Sequence, residues 1–389
     1  MANFSNHTIS VNELLSLIPS ELLDKLSQST DVDHQVKKLF GKNVFYLLLY
    51  GFLESTKVSL RGLEDIYSSQ KFQFLFNIDS QDGIKYNSLS DRLSTLNSDY
   101  FEAIYQYIYA RFTELYTEKE AASYSITRVD STMVAEAANK LEHGMWTGNK
   151  DGRKKHIKYT MSMTDIFPSG AEVFTDQQGL NENNTIPTVI SKAENKENIF
   201  VFDRGVYKRE AFKELDNQQI NFVTRINNTK NYKIVSSNEV IERSHKNLDI
   251  IEDQIVILRS KYNKPTIPLR LIKTIQKDKN KEIILFLTNC IDIQATEVID
   301  IYAKRWDIEV FFRFIKQELN FSHFLSTNIN GIKIVLYVTL ILSILILVYK
   351  KLNNIGYKTA VRRFKIELDE IIMKMTIIFA GGDPDLVFR

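Results

Sequence analysis

Sulfur chemistry is nearly missing from this chain, which carries one cysteine, Cys290, in 389 residues. A lone cysteine cannot close an intrachain disulfide, which excludes a disulfide-stapled secreted scaffold and makes a reducing cytoplasm the expected compartment. Histidine is scarce too. The six His are scattered without HExxH or Cys/His ligand spacing, so no structural zinc site is expected. The opening MANFSNHTIS lacks both a basic n-region and an apolar h-region, and no signal peptide is read from it. There is no internal repeat and no low-complexity linker. Long apolar runs are limited to IVLYVTLILSILILVY, Ile334 to Tyr349, 16 uncharged residues bracketed by Lys333 and Lys350. A membrane span needs about 20 apolar residues, so the run is expected to be a buried core helix, with no membrane as partner.

What is present is the composition of a folded globular protein, 44% hydrophobic and 25% charged, long enough for two or three domains. The net charge of +2 hides an asymmetry: residues 1–120 balance at −5 and the remainder at +7. Basic residues are densest in NKDGRKKHIK (Asn149 to Lys158) and from Arg225 to Lys281, where a nucleic-acid phosphate backbone would find partners; a plain solvated surface remains the alternative.

Apolar spacing predicts helices in VNELLSLIPSELLDKL, NVFYLLLYGFL and DYFEAIYQYIYARFTELY, with short helical pieces between them. The period changes near residue 121. SITRVDSTMV, HIKYTMSMTD and AEVFTDQ read as strands, followed by a helix over TIPTVISKAENK and a central strand in NIFVFDRG. Residues 222–288 read as repeated short strands, an all-β insertion. The expected organisation is therefore a helical N-terminal domain over 1–120, an α/β core begun over 121–221, the β-rich insertion over 222–288, the remainder of the core with two helices over 289–350, and a helical tail over 351–389.

The stretch IYAKRWDIEVFFRFIKQEL, Ile301 to Leu319, places strong chemistry next to a core. At about 100° per residue, Tyr302, Arg305, Glu309 and Lys316 fall at roughly 0°, 300°, 340° and 320°, one stripe of a helix. Ile301, Ile308, Phe312, Ile315 and Leu319 fall directly beside it, at about 220° to 280°. Asp307 and Glu318 point away, so Glu309 is the carboxylate held at the core's edge. Arg305 and Glu309 also have the spacing of a surface i,i+4 ion pair, and helix geometry alone leaves both readings open.

Two strand carboxylates decide between them. VDS sets Asp130 inside a strand-like run, and FVFDRG sets Asp203 at a strand's C-terminal end, where α/β sheets build their sites. Three carboxylates converging at about 4 Å would repel by some 4 kcal/mol per pair at an effective dielectric of about 20. They would need cations. Oxygen-only ligands suit Mg²⁺ or Mn²⁺, and two such ions can activate a water or a 3′-hydroxyl for attack on a phosphodiester.

The spacing Y-x2-R-x3-E-x6-K, met by Tyr302, Arg305, Glu309 and Lys316, together with Asp130 in VDST and Asp203 in FDRG, resembles the DDE transposases of bacterial insertion sequences, specifically the IS-four family. LTN (Leu287 to Asn289) and TNINGIK extend the likeness, which covers about residues 120–350; SLIP and SLRGLEDIY resemble the helical N-terminal domain of many such enzymes. The resemblance implies an RNase H-like catalytic core interrupted by the β insertion, with Asp130, Asp203 and Glu309 as catalytic metal ligands for two Mg²⁺ or Mn²⁺ ions. It implies hydrolysis at the transposon ends, strand transfer into target DNA, and a homodimer holding both terminal inverted repeats. Tyr302 and Arg305 would grip a terminal phosphate and Lys316 would face DNA. Arg204, Lys154 and Lys155 are further expected phosphate contacts, and Trp146 is an exposed ring for an unstacked base. Trp306 is expected to pack rather than stack on DNA. Two other readings stay open: a catalytically inactive DNA-binding relic, and a metal-dependent nuclease without strand transfer.

Overall fold

The computed structural model describes residues 8–54, 57–78, 83–116, 124–148, 153–227, 231–259, 267–278 and 281–387. The segment MANFSNH, the expected boundary at 120/121 and Asn149 to Gly152 of the basic cluster lie outside them. Seven helices come first: α1 (Val11–Ser16), α2 (Ser20–Thr30), α3 (Gly41–Glu54), α4 (Leu60–Ser68), α5 (Gln70–Leu75), α6 (Tyr86–Thr95) and α7 (Ser98–Tyr116). Their starts follow local chemistry. Ser10 and Glu13 form a capping box on α1, and the Ser59 and Ser69 hydroxyls cap α4 and α5.

The sheet follows, with β1 (Ile126–Ala137), β2 (Lys154–Thr164), β3 (Phe167–Phe174), helix α8 (Glu182–Ser191), β4 (Ile199–Phe202), helix α9 (Arg209–Asn217) and β5 (Phe222–Ile226). β1, β2 and β3 are antiparallel neighbours, while β4 pairs parallel to β1 and β5 parallel to β4. The order β3-β2-β1-β4-β5, with α8 and α9 as the crossovers, is the RNase H-like arrangement.

The β insertion comprises β6 (Tyr232–Ser237), β7 (Ser244–His245), β8 (Leu248–Leu258), β9 (Pro268–Gln276) and β10 (Ile283–Thr288). It is not a separate sheet. β10 pairs antiparallel with β5, and the order runs on as β5-β10-β9-β8-β6, so ten strands share one hydrogen-bonded sheet. Residues 222–226, read from sequence as the head of the insertion, form a core strand because Phe200 to Phe202 offer them a parallel partner.

Alternation along β4 divides the core. Phe200 and Phe202 face α8 and α9 together with Val129, whereas Ile199 and Val201 face the other side, with Ile126 and the next helix, α10 (Ala295–Ala303). The chain ends in α11 (Trp306–Glu318), α12 (Ile329–Leu352) and α13 (Tyr357–Phe379).

The apolar run of 16 residues is the centre of α12, which at 24 residues is long and apolar enough to cross a membrane by length and composition. Length therefore does not separate the two readings, but surroundings do. Every residue from Ile334 to Tyr349 is buried, in one cluster with α3, α6, α7, α11 and α13. The N-terminal helices and the C-terminal pair thus close a single core. Polar ties reinforce it: the Glu367 carboxylate accepts from Val11 N at 2.9 Å and from the Tyr349 hydroxyl, and Tyr105 Oη donates to Pro168 O at 2.7 Å, joining α7 to β3.

Candidate active site

Asp130 lies in the body of β1, opposite Met161 of β2. The last parallel partners of β1 and β4 are Arg128 and Val201. Two residues further along each chain stand Asp130, still within β1, and Asp203, just past the end of β4; by strand alternation both belong to the face that carries α10 and α11. The tight turn after β4 releases Asp203 from the ladder.

The expected single helix from Ile301 to Leu319 is in fact two. α10 ends at Ala303, and α11 begins at Trp306. Across Lys304 and Arg305 the backbone bonds shorten to three residues, Arg305 N to Tyr302 O at 3.0 Å and Ile308 N to Arg305 O at 3.3 Å. The cause sits on β1. Arg128, only 3% exposed, donates from Nε to Lys304 O at 3.3 Å, from Nη1 to Asp165 O at 3.1 Å and from Nη2 to Asp307 at 3.2 Å. It pins the joint to the strand two residues before Asp130. Asp307, read from sequence as pointing away from the stripe, is thereby a structural anchor.

The joint turns Arg305 inward. Its Nη2 donates to Glu309 Oε1 at 2.6 Å and its Nη1 to Asp130 Oδ2 at 3.4 Å. Its guanidinium also lies 5.8 Å from the centre of the Tyr302 ring, and its Nε is buried without a hydrogen-bond partner. Tyr302 Oη donates to Asp203 Oδ1 at 3.3 Å, while its ring packs edge-on against Phe286 of β10 at 5.4 Å and faces Arg225 of β5 at 5.8 Å. Thus Asp130, Asp203, Glu309, Tyr302 and Arg305 meet in one place. Lys316, about 10 Å along the helix from Glu309, donates to Met133 O at 3.2 Å and holds the end of β1.

Two groups escaped the sequence reading. Lys158 of β2 is 1% exposed, yet its Nζ donates to Leu180 O at 2.7 Å just before α8. Glu182 opens α8, and that helix starts earlier than its apolar pattern suggests because the Asn181 side chain accepts from Asn183 N. The signal was the N-cap asparagine ahead of an acidic first-turn residue.

The electrostatics follow from burial. Desolvation raises the Asp130 carboxyl to about 6, with the Ser131 N–H and Arg305 pulling the other way. Glu182 is raised for the same reason, offset by Lys158 and reinforced by the charge of Asp203. Burial lowers the Lys158 and Lys316 ammonium groups, and it raises the Tyr302 phenol.

Asp130, Asp203, Glu309 and Glu182 are four oxygen-donor groups facing two cationic side chains, Arg305 and Lys158. A hard divalent cation suits that donor set. Among the described residues no three acidic, His or Cys side chains stand at ligating distance from a common point; Arg305, not a ready cage, joins Asp130 to Glu309.

The remaining expected contacts lie elsewhere. Arg204 is exposed beside Asp203. Lys154 and Lys155 begin β2, six and more residues from the Asp130 partner Met161, hence about 20 Å from the carboxylates. Lys155 Nζ donates to Leu141 O at 3.1 Å. Trp146, 45% exposed, is held by its backbone to both ends of the Gln177 amide, at 3.0 and 2.8 Å. Trp306, expected to be packed, is instead 54% exposed, because it is the first residue of α11 and precedes the face that meets the core.

An RNase H-like sheet carrying acidic side chains within β1, just past β4 and on a following helix defines the class. The family model described as Transposase DDE domain matches residues 121–345, and the chain belongs to that family. Its relatives include a Geobacillus stearothermophilus protein named "Probable transposase for insertion sequence element IS5377", 28% identical over 242 residues, 61% of each chain. A Sinorhizobium fredii protein also named as a transposase, y4zB, is 30% identical over 157 residues, 40% of this chain and 44% of its own. The matched regions thus span less than two thirds of both relatives. In three dimensions, the piggyBac transposase in its synaptic complex with hairpin DNA aligns over 94% of this chain and 81% of its own, at 12% identity and a TM-score of 0.49.

Proposed function

We propose that this protein is a transposase of the IS-four family, which cuts the ends of an insertion sequence and joins them to target DNA. The observation that carries the proposal is the convergence of Asp130, Asp203 and Glu309 around Arg305 and Tyr302, inside a matched DDE domain. Asp130 is rigid because it lies within the paired strand β1, Asp203 follows directly on the paired strand β4, and Glu309 is rigid because Arg128 fastens the joint of its helix to β1. These three residues would hold two Mg²⁺ or Mn²⁺ ions, which would activate the attacking oxygen and offset charge on the leaving one.

The chain's own residues perform the rest. Once the carboxylates have another counter-charge, the Arg305 guanidinium is free to bind a non-bridging phosphate oxygen of the scissile strand, an anion it suits by its planar fork. Tyr302 Oη, now donating to Asp203, can donate to the same phosphate. Arg204 and the exposed Trp146 are proposed DNA contacts on the rim, with Lys154 and Lys155 reaching flanking phosphate about 20 Å away. The partners proposed are the terminal inverted repeats, target DNA and a second copy of the chain in the synaptic complex, in the cytoplasm. The helices of residues 1–120 are the proposed DNA-end-binding part of the chain.

A strand-transfer assay tests the reading. Purified protein, a pre-cut duplex carrying the element's own end and a supercoiled target plasmid should give joined products with Mg²⁺ and none with EDTA. Cutting without joining, in conditions where the end is bound, would reduce the protein to a nuclease.

A further inference from the structure

We propose that Glu182 is a fourth carboxylate of the cation site, acting beside Asp203, an inference that rests on reading Asp130, Asp203 and Glu309 as the metal-holding triad. α8 packs on the opposite face of the sheet from α11, with Ile186, Val189 and Ile190 against Phe200 and Phe202. Only its first turn reaches the end of the sheet where Asp203 emerges.

That turn is fastened there by Asn183, which is 7% exposed. Its Oδ1 accepts from Tyr207 N at 2.8 Å and Lys208 N at 2.7 Å, and its Nδ2 donates to Gly205 O at 3.3 Å. The loop after Asp203 is thus clamped onto the start of α8, with Glu182 as the adjacent residue. The fit is tight: a Cβ on Gly205 would stand 1.5 Å from Glu182 Oε2. Glycine at 205 leaves the space that the Glu182 carboxylate occupies, two residues from Asp203.

A negative charge in the first turn of a helix is favourable anywhere, but that does not require this approach to Gly205. Among the described residues no ion pair reaches it, and the Lys158 ammonium donates to Leu180 O at 2.7 Å. Among the described residues Glu182 accepts no hydrogen bond. A cation shared with Asp203 is the partner that this close approach of the carboxylate to Gly205 lacks. Charged groups thus come to one end from both faces of the sheet, Glu182 with the cation Lys158 from the α8 side and Asp130, Asp203 and Glu309 from the α11 side.

Mn²⁺ binding to the full chain, followed by the electron paramagnetic resonance signal of the free ion, tests this without requiring turnover. Wild type, Glu182→Gln and Glu309→Gln are titrated, and melting in EDTA checks that each is folded. The expected result is at least a tenfold weakening of Mn²⁺ binding in Glu182→Gln, with melting in EDTA unchanged or raised. Gly205→Ala, which displaces the carboxylate, should weaken binding in the same direction. If Glu182→Gln does not fold, Glu182→Asp keeps the charge while shortening its reach, and it should also bind more weakly than wild type. Wild-type affinity in Glu182→Gln alongside a tenfold loss in Glu309→Gln removes Glu182 and leaves the triad. Unchanged affinity in both variants, or no binding by wild type, overturns the triad reading and Glu182 with it.

Discussion

Replacing Asp130 by Asn should make the metal-free protein more stable at neutral pH while removing a residue assigned to its chemistry. Asp130 is 15% exposed at its side chain, and its carboxyl titrates at about 6 in the folded chain against an ordinary 3.8. The folded state therefore holds this proton more tightly than the unfolded state, and stability falls as pH rises through the window from about 4 to 6. Above that window the ionised group carries the whole cost. A difference of about two pH units corresponds to at most about 3 kcal/mol, taking roughly 1.4 kcal/mol for each. Asn keeps an oxygen for the Ser131 N–H, which Asp130 Oδ1 accepts at 2.7 Å, and loses the longer contact with Arg305, so a net gain of about 1–3 kcal/mol is expected. Urea unfolding in EDTA at pH 7.5 and pH 4.5 measures it. Asp130→Asn should be the more stable protein at pH 7.5, and the gap should narrow at pH 4.5, where the native carboxyl is protonated. Added Mg²⁺ should narrow it as well, by stabilising only the chain with its carboxylates intact. A variant less stable than wild type at pH 7.5, or a gap independent of pH, would falsify the assignment of Asp130 as a desolvated carboxylate.

Arg128→Gln should destabilise the chain by about 3 kcal/mol, since it removes a buried guanidinium that donates to the carbonyls of Lys304 and Asp165 and to the Asp307 carboxylate; urea unfolding reads the loss, and an unchanged midpoint would contradict the anchoring role. Asp253→Asn breaks a buried bidentate pair, in which Arg270 donates to Asp253 at 2.9 and 2.6 Å, and should cost about 3–5 kcal/mol by leaving the guanidinium uncompensated. The same unfolding series checks it, with a cost below about 1 kcal/mol counting against the pairing. Detergent-free purification tests α12: a chain that closes this helix in its own core stays in the supernatant after ultracentrifugation, whereas sedimentation with membranes would mean that the helix is not enclosed.

The catalytic core was legible because its signals are local. β-branched and aromatic runs marked β1, β2 and β4, and the residues after them carried Asp203 and its Gly-containing turn. The stripe of Tyr302, Arg305, Glu309 and Lys316 was legible because backbone phase is nearly kept through the joint at Lys304 and Arg305. The joint itself was not, since it is imposed by Arg128, 176 residues away from Lys304. Glu182 and Lys158 were hidden for the same reason: a glutamate in a first turn and a lysine in a basic run look solvated until the sheet brings them to Asp203 and Leu180. β5 was grouped with the insertion because a short β-rich segment does not announce which neighbour it will pair with. The apolar run suggested a core helix, but on too short a length; its enclosure by helices from both ends of the chain is a tertiary fact.

The most direct measurement is cleavage of a labelled duplex carrying the element's own end, by wild type and by Glu309→Gln, with Mg²⁺ or with EDTA. Wild type should nick the end with Mg²⁺ only, and Glu309→Gln should not nick it although it still binds the duplex. Cleavage that persists in Glu309→Gln, or a wild-type protein that binds the end and leaves it intact in Mg²⁺, would contradict the catalytic role of the triad.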